Sequence, residues 1–420
     1  MHIKALLDLA SELLRAVLGF AAPADQVVSS FFARHRQLGQ RERHALAETV
    51  YAVLRRRLLW QHLAQSGSGP IERRLAVLAW QGDAQVFALA LSPDERAWRE
   101  RALAIDIETL PERLRHNLPE WLVEPLKAAM GDAEFMPLAI ALATPAPLDL
   151  RVNMLKTART EAQAALRAEG IEATPTPWSP WGLRIEGKPA LQRTEAFRRG
   201  DVEVQDEGSQ LLCLLTEARR GEMVVDFCAG AGGKTLALGA SMRNTGRLYA
   251  FDVAGHRLDA LKPRLARSGL SNVYPAQIAH ERDERIKRLA GKIDRVLVDA
   301  PCSGLGTLRR NPDLKWRQAP AGIDELKVKQ AAILASAARL LKPGGRLVYA
   351  TCSLLAAENE DIAAAFTQTH RDFETLPAAD ALRRAKVDAA ESLVHGDVLR
   401  LWPHRHGTDG FFAALWQRRA

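Results

Sequence analysis

Two cysteines in this 420-residue chain stand in contexts that suit nucleophilic chemistry. Cys302 lies in a short polar motif that begins at Asp299, and Cys352 lies between a threonine and a serine. Each motif directly follows an apolar stretch typical of a buried β-strand. A thiolate adds reversibly to electron-poor carbon, so these residues suit covalent catalysis. Because neighbouring parallel strands end at one edge of a sheet, we expect both cysteines on the same rim.

A glycine-rich turn follows the first strand of the same region. Glycines let the backbone turn tightly and approach a ligand, and the helix that follows offers free N–H groups to a carboxylate or phosphate. The turn lacks one glycine of a P-loop, at Cys228, and one of a dinucleotide fingerprint, at Thr235. Neither nucleotide motif is complete. The residues expected to contact the cofactor are Cys228, Ala229, Gly230, Ala231, Gly232, Gly233 and Lys234.

Asp252 closes the second strand, at the point where a carboxylate can accept hydrogen bonds from both hydroxyls of a ribose. S-adenosylmethionine offers a ribose and an amino-acid carboxylate but no phosphate, which matches a glycine turn without a phosphate motif. We therefore predict S-adenosylmethionine as the cofactor. The competing interpretation is that Asp252 only caps the next helix.

Together these motifs resemble those of the RNA 5-methylcytosine methyltransferases of the RsmB/Nop2/Sun family. The resemblance covers about 145–420 and includes four further segments, 150–153, 205–210, 310–316 and 409–412. It implies an α/β fold: a Rossmann-like class I S-adenosylmethionine methyltransferase domain, preceded by a small α/β RRM-like domain and an all-helical NusB-like RNA-binding domain. The expected domains are 1–143, 144–206 and 207–420.

The resemblance also implies a reaction. Carbon 5 of cytosine is a poor nucleophile until a group adds at carbon 6, and the resemblance assigns that attack to Cys352. Cys302 would assist release of the enzyme, and Asp299 would hydrogen-bond the cytosine ring or the methyl donor. The implied substrate is ribosomal RNA, with 16S rRNA expected. The residues alone do not say which cysteine attacks, and the sequence identifies no group that activates Cys352.

Several charged residues are expected to contact ligands. His280 stands where the family has an acidic residue near the adenine, so we expect it at the cofactor, with Asp283 on a shifted loop as the alternative. Lys234 could face the carboxylate of the donor. The residues expected to hold the RNA backbone after the Cys302 loop are Arg309, Arg310, Lys315 and Arg317.

Other methyltransferase classes lack support in the sequence. A DNA cytosine methyltransferase would carry a Glu-Asn-Val tripeptide, and an amino-group methyltransferase would have Asp/Asn-Pro-Pro-Tyr where this chain has the Asp299 motif. Two alternatives stay open. One is a catalytically idle RNA-binding ribosome assembly factor with the same fold, and the other is a tRNA-directed cytosine-5 methyltransferase.

The elements that must position these residues follow from hydrophobic periodicity. Strands alternating with helices predict a doubly wound parallel sheet, and Pro263 should kink or shorten the helix expected there. The strand candidates of this sheet are 223–227, 247–251, 293–298 and 346–350. In the small domain, strands at 148–153 and 182–185 should pair around a helix at 160–169. Trp178 and Trp181 could stack on bases, although packing under a loop is commoner.

Residues 1 to about 140 are predicted to be nearly all helix. One helix from 42 to 63 would have an apolar stripe and a basic side formed by Arg55, Arg56 and Arg57. With the arginines of 34–43, this cluster would either meet phosphates or form a solvated face.

Composition agrees with a folded RNA-binding protein. Hydrophobic residues make up 47% and charged residues 26%, and the net charge of +8 favours a polyanionic partner. The four cysteines contain no C-x-x-C pair, so we expect no metal, and Cys213 is expected in the core. No run of 18 uncharged apolar residues occurs, so we expect no membrane partner. We expect a cytoplasmic monomer.

Overall fold

The computed structural model describes residues 2–187 and 189–420. Its first part is helical, because apolar side chains recur three or four residues apart and pack into one core, as Leu6, Leu7, Ala10 and Leu14 do in the first helix. The helices of this part are α1 (Ile3–Leu18), α2 (Ala24–Arg34), α3 (Gln40–Arg55), α4 (Arg57–Ala64), α5 (Ile71–Ala79), α6 (Ala84–Ala88), α7 (Pro93–Leu103), α8 (Glu112–His116), α9 (Glu120–Met130) and α10 (Asp132–Leu142).

The single helix predicted from 42 to 63 is wrong. It is interrupted at Arg56, whose φ of −122° and ψ of 42° are not helical. Arg55 is buried, and the guanidinium of Arg57 lies 5.1 Å from the ring centroid of Trp316. The break therefore turns two of the three arginines into the protein instead of leaving them all on a solvated face.

A small antiparallel sheet follows, in the order β2-β3-β1-β4. The predicted strands and their pairing are confirmed, since Leu150 pairs with Leu183 in an antiparallel register. One face of the sheet packs on its helices through Leu150 and Val152, and the other face carries Asp149 and Arg151. Its elements are β1 (Leu148–Val152), α11 (Arg159–Ala168), β2 (Ala173–Pro175), β3 (Gly182–Ile185), α12 (Glu195–Arg198) and β4 (Val202–Val204).

A nine-stranded sheet dominates the rest of the described chain, in the order β11-β12-β13-β9-β8-β5-β6-β7, with β10 paired to β13. Its elements are α13 (Glu207–Thr216), β5 (Met223–Asp226), α14 (Gly233–Ser241), β6 (Arg247–Asp252), α15 (Gly255–Ser268), β7 (Val273–Gln277), α16 (Glu284–Lys287), β8 (Ile293–Asp299), α17 (Leu314–Arg317), α18 (Pro320–Ala338), β9 (Leu341–Thr351), α19 (Glu360–Thr369), β10 (Phe373–Leu376), α20 (Ala378–Arg384), β11 (Val394–His395), β12 (Val398–Leu401), α21 (Pro403–His406) and β13 (Phe411–Arg418).

The parallel part of this sheet confirms the predicted Rossmann-like fold. Strands β9, β8, β5, β6 and β7 are parallel neighbours, and β13 adds to β9 in the antiparallel sense. Val224 and Val225 pack into hydrophobic clusters on opposite faces, so both faces are covered. The analysis of the sequence missed β7, an edge strand that contains Pro275. Helix α15 runs through Pro263 to Ser268, so the predicted shortening is wrong.

The described chain forms two compact units. The first contains the residues up to Pro145 together with Thr307–Pro320, and the second contains Ala146–Gly306 and Ala321–Ala420. Both sheets therefore belong to the second unit, whereas the segment after the Cys302 loop belongs with the helices. None of the helices described here is both long and apolar enough to cross a membrane.

Candidate active site

The carboxyl ends of the parallel strands open onto a cavity of about 930 Å³ in the second unit. This is the edge at which doubly wound sheets bind ligands. All of the predicted catalytic and cofactor-binding residues except Gly232 line its wall. Those on the wall are Cys228, Ala229, Gly230, Ala231, Gly233, Lys234, Asp252, His280, Asp299, Cys302 and Cys352.

The glycine-rich turn requires glycine at two positions. Gly230 and Gly232 have φ angles of +55° and +81°, in the left-handed region that side chains disfavour. A Cβ on Gly232 would lie 2.1 Å from Leu261 Cδ1, so Gly232 lets the turn pack tightly on α15 instead of contacting a ligand. A Cβ on Gly230 would have no described atom within 4 Å, which leaves open space on the cavity side.

Charged side chains hold this turn in place. Arg264 Nη1 donates to the carbonyl of Ala231 at 2.6 Å, and Arg151 Nη1 donates to that of Gly233 at 2.7 Å. The Gly230 N–H donates to Asp252 Oδ2 at 2.8 Å. The shape of the cradle is therefore fixed before any ligand arrives.

Asp252 combines features of both interpretations made from the sequence. Its Oδ1 accepts a 2.7 Å hydrogen bond from the N–H of Ala254, the residue immediately before α15, so it shapes the entry to that helix. The carboxylate also lines the cavity, and a carboxylate oxygen can accept a second hydrogen bond. Its role toward a ribose stays a prediction.

Asp226 is a buried carboxyl group at the floor of the cavity. Thr235 Oγ1 donates to its Oδ2 at 2.7 Å, and its Oδ1 has no hydrogen-bond partner among the described residues. Burial raises the pKa of Asp226 to about 7. An orphaned carboxyl oxygen beside a glycine cradle fits S-adenosylmethionine, whose ammonium and sulfonium groups are positive.

His280 lies on the cavity wall, as the sequence analysis expected. Its Nδ1 accepts a 3.1 Å hydrogen bond from the N–H of Arg282, which leaves Nε2 to carry the proton. Asp283 does not replace it, because Asp283 accepts from the N–H groups of Ala279 and Arg285 and caps α16. The contact between His280 and the adenine stays a prediction.

The structure brings the two cysteines together. Cys302 Sγ and Cys352 Sγ lie 3.4 Å apart on the cavity wall, although 50 residues separate them in sequence. Both are partly exposed. Thiols at this distance can share a hydrogen bond and can reach the same carbon centre.

A cation lies close to this pair. Lys234 Nζ is 2.6 Å from Asp299 Oδ2, so Lys234 pairs with Asp299 rather than facing the cavity alone. Burial opposes the charge of Lys234, but the Asp299 carboxylate outweighs it and raises the pKa of the lysine. The Cys352 sulfur lies within electrostatic reach of the same ammonium. Lys234 is the neighbouring cation that the sequence did not identify for Cys352.

The remaining cysteines are poor nucleophiles. The hydrogen bond with Cys352, burial and the charge of Glu358 raise the pKa of the Cys302 thiol. Burial raises the pKa of Cys228, and it raises that of Cys213 to about 12. Cys213 lies in the core, as predicted.

Glu358 is a site residue that the sequence analysis missed. It is fully buried, and it accepts hydrogen bonds from the residues that follow both cysteines, Ser303 and Ser353. With Glu360 and Asp361 it looks in the sequence like an acidic first turn of α19. No local signal distinguishes it, because its partners come from distant parts of the chain.

Two of the four predicted RNA-binding residues are wrong. Lys315 is 2% exposed and donates through Nζ to the Arg55 carbonyl at 2.8 Å, and Arg309 is also buried. Burial lowers the pKa of Lys315 to about 7. The segment packs into the helical unit. The charges of the segment alone do not indicate this burial. For Arg310 and for Arg317, which is paired with Asp313 at 3.4 Å, RNA contact stays a prediction.

The two tryptophans of the small sheet pack rather than present their faces to bases. Trp178 and Trp181 are partly buried against the main hydrophobic cluster of the second unit. Trp178 Nε1 donates to the His406 carbonyl at 3.1 Å. Among the described residues, no group of three His, Cys, Asp or Glu side chains could hold a metal ion.

The parallel sheet, its glycine cradle and the acidic residue after the second strand define the class. This is a Rossmann-like methyltransferase, and its cofactor is S-adenosylmethionine. Residues 213–417 match the family model described as 16S rRNA methyltransferase RsmB/F, and residues 118–192 match a ferredoxin-like domain of the same group. The chain belongs to the RsmB/F family of methyltransferases.

Individual relatives and a solved structure are similar to this chain over most of its length. The probable ribosomal RNA small subunit methyltransferase B of Synechocystis is 36% identical over 76% of this chain and 71% of its own. The corresponding Bacillus subtilis protein is 33% identical over 72% of this chain and 66% of its own. A crystal structure of a methyltransferase homologue from Pyrococcus horikoshii is 28% identical, with a TM-score of 0.63 over 75% of this chain and 100% of that one.

Proposed function

We propose that this protein transfers a methyl group from S-adenosylmethionine to carbon 5 of a cytosine in ribosomal RNA, with 16S rRNA as the substrate, through a covalent cysteine adduct. The observation that carries the proposal is the pair of sulfurs, 3.4 Å apart, on the wall of the cofactor cavity. The substrate class is supported by the names of the relatives, which are ribosomal RNA small subunit methyltransferases.

The chemistry needs one thiolate and one assisting group. The Cys352 thiolate adds to carbon 6, and the electron pair of the double bond moves toward carbon 5, which becomes nucleophilic. S-adenosylmethionine supplies the electrophilic methyl group. When a base takes the proton from carbon 5, the double bond re-forms and the carbon–sulfur bond breaks. Cys302, 3.4 Å away, hydrogen-bonds the departing sulfur.

The surroundings of the two sulfurs support this division of roles. The ammonium of Lys234 stabilises negative charge on Cys352, whereas the raised pKa of Cys302 keeps it a proton donor. The Asp299 carboxylate lies on the same wall, where it can accept a hydrogen bond from the exocyclic amino group of cytosine. Uracil has an oxygen at that position and would be rejected.

The test of the mechanism is a pair of alanine variants. Cys302→Ala should accumulate a covalent RNA–protein adduct, seen as a slowly migrating band on a denaturing gel, because addition proceeds and release is impaired. Cys352→Ala should form no adduct. The opposite pattern would mean that the roles are reversed.

The test of the substrate uses labelled methyl donor with 16S rRNA and, in parallel, total tRNA. Transfer to cytosine in 16S rRNA supports the proposal, and bisulfite sequencing of ribosomal RNA from cells with and without the gene then identifies the target position. Transfer to tRNA alone supports the tRNA-directed alternative. If no cytosine in either RNA is methylated, the idle assembly factor is favoured.

A further inference from the structure

A buried carboxylate joins the two loops that carry the cysteines. Glu358 Oε1 accepts from the Ser303 N–H at 2.8 Å and from Gln330 Nε2 at 3.0 Å. Glu358 Oε2 accepts from the hydroxyls of Ser303 and Ser353, each at 2.5 Å. Ser303 follows Cys302 and Ser353 follows Cys352, so one side chain holds both catalytic loops.

Such an arrangement has a physical reason. A carboxylate without solvent is costly unless donors fill its lone pairs, and these four hydrogen bonds do so. Both loops donate to the same carboxylate, through Ser303 and Ser353. A shift of one loop therefore disturbs the hydrogen bonds that hold the other. The two serine hydroxyls are themselves 3.1 Å apart, which closes the cluster.

The carboxylate also brings a negative charge to the Cys302 side of the sulfur pair. Burial and hydrogen bonding to Cys352 act on Cys302 in the same direction as this charge. The Lys234 ammonium, by contrast, lies near Cys352. The other titratable or charged groups that face this region are Tyr349 from β9, Cys228 from the glycine turn, Asp299 from β8, Lys329 from α18 and Arg400 from β12. Arg400 is buried and donates to the carbonyls of Ser353 and Leu354, on the Cys352 side.

We propose that Glu358 is the positioning residue that gives the two cysteines different roles: its carboxylate holds both loops at a fixed separation and places a negative charge beside Cys302, so that Cys302 remains the proton donor and Cys352 is left as the nucleophile. The catalytic meaning of this assignment rests on the proposed function. The geometry itself does not involve the RNA.

The test is site-resolved alkylation, which needs neither RNA nor methyl donor. The protein is treated briefly with iodoacetamide between pH 6 and pH 10, and mass spectrometry follows the peptides of Cys302 and Cys352 at low conversion. Glu358→Gln keeps the size of the side chain but removes its charge. We expect the midpoint for Cys302 to move to lower pH and its rate at pH 8 to rise by up to about tenfold, since one pKa unit is a factor of ten.

Two companion variants separate charge from structure. Glu325→Gln makes the same chemical change at an exposed position of α18, and it should leave both alkylation profiles as in the wild type. Ser353→Ala removes one hydrogen bond to Glu358 and keeps the charge. It should leave the Cys302 midpoint in place but lower the ratio of Cys352 to Cys302 alkylation at least about threefold, because the Cys352 loop loses its hydrogen bond to Glu358.

Two results of these alkylation experiments would overturn the proposal. A folded Glu358→Gln protein with the wild-type Cys302 profile would overturn the proposal. If that variant does not fold, an unchanged alkylation ratio in Ser353→Ala would overturn it instead. Should the wild type methylate no cytosine while Glu358→Gln still shifts the Cys302 profile, the proposed function fails and the positioning role of Glu358 stands.

Discussion

The four cysteines show how the surroundings of a residue decide its chemistry. Cys213 is enclosed by leucines and Cys228 is held in the glycine turn, and burial makes both thiols hard to ionise. Cys302 and Cys352 share one wall of the cavity, but a carboxylate acts on the first and an ammonium on the second. Under the proposed mechanism, the same kind of side chain therefore serves as packing, as proton donor and as nucleophile.

Asp226 yields a prediction about pH. Its carboxyl group ionises near 3.8 in an unfolded chain but near 7 in the fold because of burial. Between these values the unfolded state has lost a proton that the native state keeps, so stability falls as the pH rises through this window. Asp226→Asn mimics the neutral acid and keeps an acceptor for Thr235. The free energy of unfolding of Asp226→Asn, taken relative to that of the wild type, should be about 2–3 kcal/mol higher at pH 8 than at pH 5.

Urea denaturation at the two pH values measures this difference. As a control, Asp259→Asn alters a carboxyl group whose pKa is lowered by an exposed lysine, and it should show no such gain. Equal stability differences for Asp226→Asn at pH 5 and pH 8 would contradict the prediction.

Single residues were predictable from the sequence where a local motif carries them. The cysteines and the glycine turn belong to short motifs and lie where the sequence analysis expected. Glu358 and the partnership of Lys234 with Asp299 were not predicted, because each depends on a contact between distant segments. The prediction that Lys315 binds RNA was wrong for the same reason, because the sequence does not show that this lysine is buried.

The small antiparallel sheet uses its polar face within the protein. RRM-type domains stack bases on such a face, but here it carries side chains that bond to the methyltransferase part of the same unit. Glu203 of β4 pairs with Arg264 at 3.3 Å and with Arg267 at 2.8 Å, both on α15. Arg151 of β1 reaches the glycine turn. This sheet is therefore a support for the cofactor cradle.

Arg151→Met tests this support. The change removes the guanidinium donor to the Gly233 carbonyl, so the glycine turn should lose its fixed shape. We expect the dissociation constant for S-adenosylmethionine to rise about tenfold, since a hydrogen bond from a charged group is worth about 1.5–3 kcal/mol. Calorimetric titration of the cofactor measures the effect. Arg167→Met, at an exposed ion pair on α11, is the matched control. Equal affinities in the two variants would contradict the prediction.

Elements were predictable where periodicity is strong. The buried strands of the large sheet and the pairing of β1 with β3 were expected, because continuous apolar runs and clear alternation mark them. The edge strand β7 has exposed residues and a proline, so its pattern is weak. The interruption at Arg56 accompanies the burial of Arg55, and hydrophobic periodicity does not record a buried arginine.

At the scale of the whole chain, one segment belongs to an unexpected unit. Residues 307–320 follow the Cys302 loop but complete the helical unit. Trp316 Nε1 donates to the Leu54 carbonyl at 3.0 Å, and Asp313 Oδ2 accepts from the Ala24 N–H at 3.1 Å. The sequence predicted a helical part but not that residues 307–320 belong to it, because contacts across more than 250 residues of sequence leave no local pattern.

Trp316→Ala tests the contribution of this segment. The indole packs on the helical core and under the guanidinium of Arg57, so its removal should destabilise the helical unit by about 2–3 kcal/mol. Thermal unfolding followed by circular dichroism should show a lower transition temperature. Asn311→Ala, at an exposed position of the same segment, should change it little. A Trp316→Ala protein as stable as Asn311→Ala would show that the indole contributes nothing to the helical unit.

The same segment constrains how a gene of this kind can evolve. Loss of the codons for the helical region would leave Trp316 and Lys315 in the remaining chain without Leu54 and Arg55, whose carbonyls they bond. Shortening from the 5′ end would thus require compensating changes in an internal stretch, a few codons downstream of the one for Cys302.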